Sequence, residues 1–125
     1  MVSVVIVEDD KAVREALRFS LEVEGFGIRV YESAEELLRD DRALSADCLV
    51  VDQKLPEMTG IELVVALRKR QCSIPSILIT TWPDHGLRMR AMQAGCRAVL
   101  EKPLKDDALS DCIHAAIREA RSSLV

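Results

Sequence analysis

Leu49-Val50-Val51-Asp52-Gln53-Lys54-Leu55-Pro56-Glu57-Met58-Thr59-Gly60 runs from an apolar segment straight into turn residues, with one aspartate at the junction. A short, continuous apolar run bounded by turn signals reads as a strand covered on both faces, which is the pattern of a parallel sheet. Asp52 then stands at the carboxyl end of that strand. In open parallel sheets ligands bind beyond the carboxyl ends, so this is where a functional carboxylate is expected.

Working outward, the same strand-then-helix unit recurs. Met1 to Val7 is a β-branched run followed by Glu8-Asp9-Asp10. A helix follows, with Val13, Ala16, Leu17, Ser20 and Leu21 predicted inside, Arg14, Glu15, Arg18 and Glu22 outside, and Gly25 at its end. Gly27 to Tyr31 alternates in polarity and predicts an edge strand. Ser33-Ala-Glu-Glu36 has capping-box spacing and opens a short helix with Ala34, Leu37 and Leu38 inside, before a polar, loop-like stretch over 39–47.

Cys48 to Val51 forms the third strand. Thr59-Gly-Ile-Glu62 is a second capping box, opening a helix with Ile61, Val64, Val65 and Leu67 or the Arg68 stem inside. Arg68-Lys-Arg70 is read as a solvated helix end. Ser76 to Ile79 is the fourth strand and delivers Thr80. Asp84 caps a helix that Gly95 ends. Ala98 to Leu100 is the fifth strand and delivers Glu101-Lys102-Pro103. A last helix runs from about Asp106 to Ser122, with Leu109, Cys112, Ile113, Ala116, Ile117 and Ala120 as its inner stripe. Five strands alternating with five helices predict an α/β, doubly wound, five-stranded parallel sheet covered on both faces.

Composition narrows the function. The chain has 125 residues, 49% of them hydrophobic, enough for one domain spanning 1–125 with a real core. Net charge is −4, with 17 basic and 21 acidic residues, which argues against this domain gripping nucleic acid. Nothing has the apolar length of a membrane span or the basic leader of a signal peptide, so the expected place is the cytoplasm. Cys48, Cys72, Cys96 and Cys112 lack metal-ligand spacing and are read as small hydrophobes, and His85 and His114 are isolated.

With a strand order of 2-1-3-4-5, Glu8, Asp9, Asp52, Thr80 and Lys102 all border one crevice. Each has an ordinary explanation alone: helix-start acids, a turn aspartate, a loop cap, a surface lysine. Together they describe a site. Like charges about 4 Å apart repel by ~1–4 kcal/mol per pair, depending on dielectric, and one lysine does not balance three acids. An all-oxygen set with few protein donors suits Mg²⁺, shared with a phosphate. Thr80 and Lys102 can then hold phosphoryl oxygens, and Asp52 can act as nucleophile to form an aspartyl phosphate. No G-x-x-x-x-G-K-[ST] or G-x-G-x-x-G is present to support nucleotide binding of those kinds.

The segments Val4-Val-Ile-Val-Glu8-Asp9-Asp10, Leu49-Val-Val-Asp52, Asp52-x-x-x-Pro56-x-x-x-Gly60, Ile77-Leu-Ile-Thr80, Ala91-Met-Gln-Ala-Gly95 and Leu100-Glu-Lys102-Pro103, in this order, resemble the receiver domain of two-component response regulators over essentially the whole chain. The flavour is similar to regulators of the nitrogen-fixation type. That resemblance implies a flavodoxin-like fold and phosphorylation of Asp52 by a sensor histidine kinase or phosphotransfer protein. It implies Mg²⁺ held by Glu8 (through water), Asp9, Asp52 and the Lys54 backbone carbonyl, with Asp10 as a less critical neighbour. It makes Thr80 the switch hydroxyl, Lys102 the phosphate-binding lysine and Lys102-Pro103 a cis bond. The only catalysis implied is of the domain's own phosphorylation and dephosphorylation. A homodimer or effector contact would use the last two helices and strand five.

The sequence departs from the family where Val99 replaces the rotating switch aromatic, and where Thr81 and Trp82-Pro83 follow the switch hydroxyl. Trp82 has two readings, a plug over the core or a partner-facing surface residue, with the second favoured. Two alternatives stay open: a phosphate-independent pseudo-receiver, and a phosphohydrolase, against which Lys54 occupies the place of a second acid.

Overall fold

The computed structural model describes residues 1–105 and 107–122. Its elements are β1 (Ser3–Val7), α1 (Lys11–Val23), β2 (Gly27–Tyr31), α2 (Ala34–Leu38), β3 (Cys48–Asp52), α3 (Gly60–Lys69), β4 (Ser76–Thr80), α4 (His85–Ala94), β5 (Cys96–Glu101) and α5 (Ala108–Ser122). The predicted start of the last helix at Asp106 lies outside the described residues. All neighbouring strands are parallel, in the order β2-β1-β3-β4-β5, so β2 is an edge strand as its alternation indicated.

Alternate residues of the central strands feed two cores. Val5, Val7, Leu49, Val51 and Leu78 face the layer of α2, α3 and α4, where Leu37, Leu63, Leu67 and Leu87 meet them. Val4, Ile6, Val50, Ile77 and Ile79 face α1 and α5, where Leu21, Ile113 and Ile117 close the other side. Each such side chain contributes roughly 1.5–3 kcal/mol on burial. Covering both faces is what makes β1, β3 and β4 read as unbroken apolar runs.

Four local expectations are corrected. In α1, Arg14 is buried with Leu21, while Ala16 and Ser20 are exposed. The reason is a groove of about 840 Å³ between α1 and α5, which Ala16, Leu17 and Ser20 line instead of packing shut. In α3, Leu63 takes the buried place expected for Val65, which is exposed. Residues 39–47 are not irregular: Asp41–Ser45 forms a 3-10 turn with Ala43 buried, capped by Asp40. Arg68 is no solvated helix end. Its guanidinium donates to the carbonyls of Cys72 (2.9 Å), Ile74 (3.3 Å) and Gly95 (3.0 Å), tying α3 to the end of α4. Gly95 sits at φ +110°, the left-handed conformation that ends α4.

The cysteines are free, with Cys48 and Cys96 buried. Burial pushes the Cys48 thiol up to about 12 and that of Cys96 up to about 11, so neither forms a reactive thiolate near neutrality. Among the described residues no helix is long and apolar enough to cross a membrane.

Candidate functional site

Four of the five strands, all but β2, hand groups to the sheet's carboxyl edge. Past the end of β1 the ladder continues for one more bond, the Glu8 N–H donating to the Tyr31 carbonyl at 3.1 Å, which keeps Glu8 fully buried. Asp9 follows on the exposed turn. Asp10 turns away to cap α1, its Oδ1 accepting the Val13 N–H at 3.1 Å. Its side chain thus serves the helix.

Asp52 is the last residue of β3 and only 6% exposed. The loop behind it is tightly tied. Asp52 Oδ1 accepts the Lys54 N–H at 3.1 Å, and the Gln53 side-chain carbonyl accepts the Ile61 N–H at 3.0 Å. Gly60 donates its N–H to the Gln53 carbonyl at 3.1 Å, and the Thr59–Glu62 capping box forms as its spacing predicts. The start of α3 is thereby pressed against the Asp52 backbone.

Thr80 ends β4, is buried, and its Oγ1 accepts the Trp82 N–H at 3.4 Å. Lys102 follows β5, anchored by its N–H to the Thr80 carbonyl at 2.9 Å, and the Lys102-Pro103 bond is cis. Its Nζ lies 2.8 Å from Glu8 Oε1 and 2.5 Å from Asp52 Oδ2. One ammonium therefore serves two buried carboxylates contributed by different strands.

These groups line a cleft of about 360 Å³ with Asp9, Lys54, Thr81 and Trp82 at its rim. Carboxylate oxygens of Glu8, Asp9 and Asp52 lie within 4.8 Å of one another. The other oxygen of Glu8, Oε2, is buried and has no hydrogen-bond partner among the described residues. Burial, and then the hydrogen bond and charge of Asp52, push the Glu8 carboxyl up to about 7, against the pull of Lys102. Burial opposes the charge on Lys102, but Asp52 and Glu8 outweigh it and hold its pKa above the usual lysine value. The cleft is thus short of positive charge, and its donor set is all oxygen. A hard divalent cation such as Mg²⁺ meets both conditions.

All five residues expected at the crevice are brought together there, and Lys54 offers its backbone N–H to Asp52 from the rim. Val99 is half-buried on β5 and packs towards α4. Trp82 is 82% exposed, which favours the surface reading over a core plug. Arg14 was missed. It donates to the Glu8 carbonyl at 2.9 Å and the Asp9 carbonyl at 3.4 Å. Its spacing of seven from Leu21 puts both on one helix face, and that was the available signal.

Comparison with known proteins agrees with this architecture. The sequence model of the family described as "Response regulator receiver domain" matches residues 4–114. The transcriptional regulatory protein FixJ of Bradyrhizobium diazoefficiens is 36% identical over 115 residues, which is 92% of this chain and 56% of that protein. A crystal structure of FixJ-N superposes with a TM-score of 0.86 at 35% identity, covering 94% of each chain. Full-length FixJ from B. japonicum gives a TM-score of 0.88 at 34% identity, with 98% of this chain covering 60% of that one. The chain spans about half the length of the curated relatives it matches.

Proposed function

This chain belongs to the response regulator receiver domains of two-component signal transduction, and on that premise we propose that Asp52 is its phosphoryl acceptor. A phosphohistidine on a sensor kinase or phosphotransfer protein is the donor. An Asp52 carboxylate oxygen forms the new O–P bond as the P–N bond to the donor imidazole breaks. Mg²⁺, held by Glu8, Asp9, Asp52 and the Lys54 carbonyl, supplies charge neutralisation when bound. Lys102 already touches Asp52 Oδ2, so a phosphoryl group on that carboxylate comes within its reach. Thr80 Oγ1 accepts from Trp82, which leaves its hydroxyl proton free to donate to a phosphoryl oxygen.

The observation that carries the reading is the meeting of three carboxylates and one lysine in one cleft, where Glu8 Oε2 has no hydrogen-bond partner among the described residues. Phosphorylation adds charge at the strand ends, and the loop after β4 responds through Thr80 and Lys102. The exit surface is α4, β5 and α5, towards a second copy or an effector. By analogy with the transcriptional regulators it resembles, that effector acts on transcription. The whole of 1–125 acts as one cytoplasmic receiver domain that catalyses only its own phosphorylation and dephosphorylation.

Incubation with Mg²⁺ and acetyl phosphate should add the mass of one phosphoryl group to the intact chain, and EDTA should prevent it. An unchanged mass with Mg²⁺ present would mean a phosphate-independent module. Sustained hydrolysis of external phosphate esters would instead revive the phosphohydrolase reading.

A donor protein must cover the cleft rim to reach Asp52. Beside it, the groove between α1 and α5 shares Val13, Thr81 and Lys102 with the cleft, and Phe19 and Val23 on α1 are 72% and 71% exposed. An exposed aromatic on the helix that walls an apolar groove can anchor a partner that spans both. Phe19→Ser should slow transfer from a phosphorylated kinase about tenfold, the equivalent of ~1.4 kcal/mol, and leave the acetyl phosphate rate unaltered. Equal slowing with both donors would remove Phe19 from the docking surface.

Glu8 also predicts a pH dependence. Its carboxyl is raised from 4.5 to about 7, so between those values the folded chain holds a proton that the unfolded chain has lost. That contribution is fully present below about 4.5 and is lost as pH rises through about 7, so stability falls across this window. Urea titrations without divalent cation should show the fall in wild type and not in Glu8→Gln. Saturating Mg²⁺, which favours the ionised carboxylate, should flatten it. Identical slopes in wild type and Glu8→Gln would count against the shift.

A further inference from the structure

Arg14 lies one turn into α1, at the end of the helix where a cation is disfavoured by the dipole. It is nevertheless buried, with its side chain 8% exposed. Among the described residues its one acidic partner is Glu32 at 3.6 Å, and Glu32 is 71% exposed, so the pair is screened and weak. What the guanidinium does hold is backbone. Nη1 donates to the carbonyls of Glu8 and Asp9, the two residues whose carboxylates meet Asp52.

We propose that Arg14 is a positioning residue for the cation site, fixing the β1–α1 turn so that the Glu8 and Asp9 carboxylates converge on Asp52. The inference rests on the function proposed above. The Glu8 peptide is gripped from both sides, its N–H by the Tyr31 carbonyl at 3.1 Å and its carbonyl by Arg14 at 2.9 Å. Asp9 sits on an exposed turn, and the 3.4 Å contact from Arg14 ties its peptide to the buried layer. Three carboxylates within 4.8 Å repel, and an untethered turn would relieve that strain by swinging Asp9 into solvent. Arg14 prevents this without touching the cation. Both contacts come from Nη1 while Nη2 faces Glu32 at 3.6 Å, and the planar guanidinium holds these directions in fixed register, which a single ammonium does less well.

The test is direct cation binding by the full chain. Free Mn²⁺ is followed by electron paramagnetic resonance, Mg²⁺ is the competitor, and thermal unfolding is recorded in parallel. Arg14→Met should weaken binding by about tenfold or more, the range seen for outer-shell residues. Arg14→Lys, which restores only part of the donor set, should recover part of this and remain about threefold weaker than wild type. Asp9→Asn serves as the control that loses a ligand. A folded Arg14→Met with wild-type affinity would show that Arg14 only stabilises the fold, overturning the inference. If Arg14→Met does not fold, Arg14→Lys decides, and unaltered affinity there overturns it equally. A wild-type chain that binds no Mn²⁺ would instead defeat the cation site itself, and this inference with it.

Discussion

Asp52→Asn is expected to abolish covalent phosphorylation while leaving the fold in place. Asparagine has the same shape, and its side-chain oxygen can still accept the Lys54 N–H that aspartate accepts at 3.1 Å. Lys102 keeps Glu8 as a partner at 2.8 Å, so the substitution strands no buried cation. The nucleophilic carboxylate is what disappears. The intact mass should stay unchanged after treatment with Mg²⁺ and acetyl phosphate, and the circular dichroism spectrum should match wild type. A second readout comes from Glu8. Asp52 is among the causes holding that carboxyl near 7, so its neutralisation should bring the Glu8 pKa down towards 4.5, measurable by carbon NMR of the side chain. Phosphoryl mass on the variant would place the acceptor elsewhere in the chain.

Gly60→Ala should be the most damaging of the small substitutions near the site. A Cβ there would lie 2.6 Å from the Asp52 carbonyl oxygen and 2.7 Å from Leu78 Cδ1. The first contact is with backbone, so no rotamer change relieves it. Overpacking of this kind costs about 1–3 kcal/mol, and loss of the Gly60–Gln53 hydrogen bond adds about 1 kcal/mol. Helix propensity favours alanine by at most about 1 kcal/mol, too little to offset the clash. A net loss of roughly 2–3 kcal/mol in urea titration is expected. Phosphorylation should slow as well, because α3 can move away only by shifting the Asp52 backbone. Stability within about 0.5 kcal/mol of wild type would show that the loop yields more easily than its hydrogen bonds suggest.

The two predictions reach the site from opposite ends. Asp52 was legible because a carboxylate ending an apolar run contradicts the rest of the run. Gly60 was legible as a turn residue, inside a capping box, and at a fixed spacing from Asp52 and Pro56, none of which says what it touches. Its closeness to Asp52 needs the strand, the loop and the helix start assembled together. Lys102, Thr80 and the acidic pair were legible as strand-end residues once the strand order was assumed. The contact of one ammonium with both Glu8 and Asp52 joins residues 94 and 50 positions apart, which no local pattern encodes. Arg14 and Arg68 were misread for a shared reason. Arginine on a helix is usually solvated, and what buries these two is a set of backbone carbonyls whose locations the sequence does not carry.

Hydrophobic periodicity, capping boxes and turn residues were enough to determine the five strand–helix units and the parallel sheet with both faces covered, because these follow from short-range pattern and burial. They also nominated the residues at the carboxyl edge. The tertiary structure decided which of those side chains touch. It set the shift of Glu8, since desolvation depends on what closes over the carboxylate. It left Ala16 and Ser20 lining an open groove rather than a packed seam. It placed Arg14 beneath the acidic turn. Each of these depends on distances between segments far apart in the chain, and such distances exist only once the sheet has brought the strand ends together.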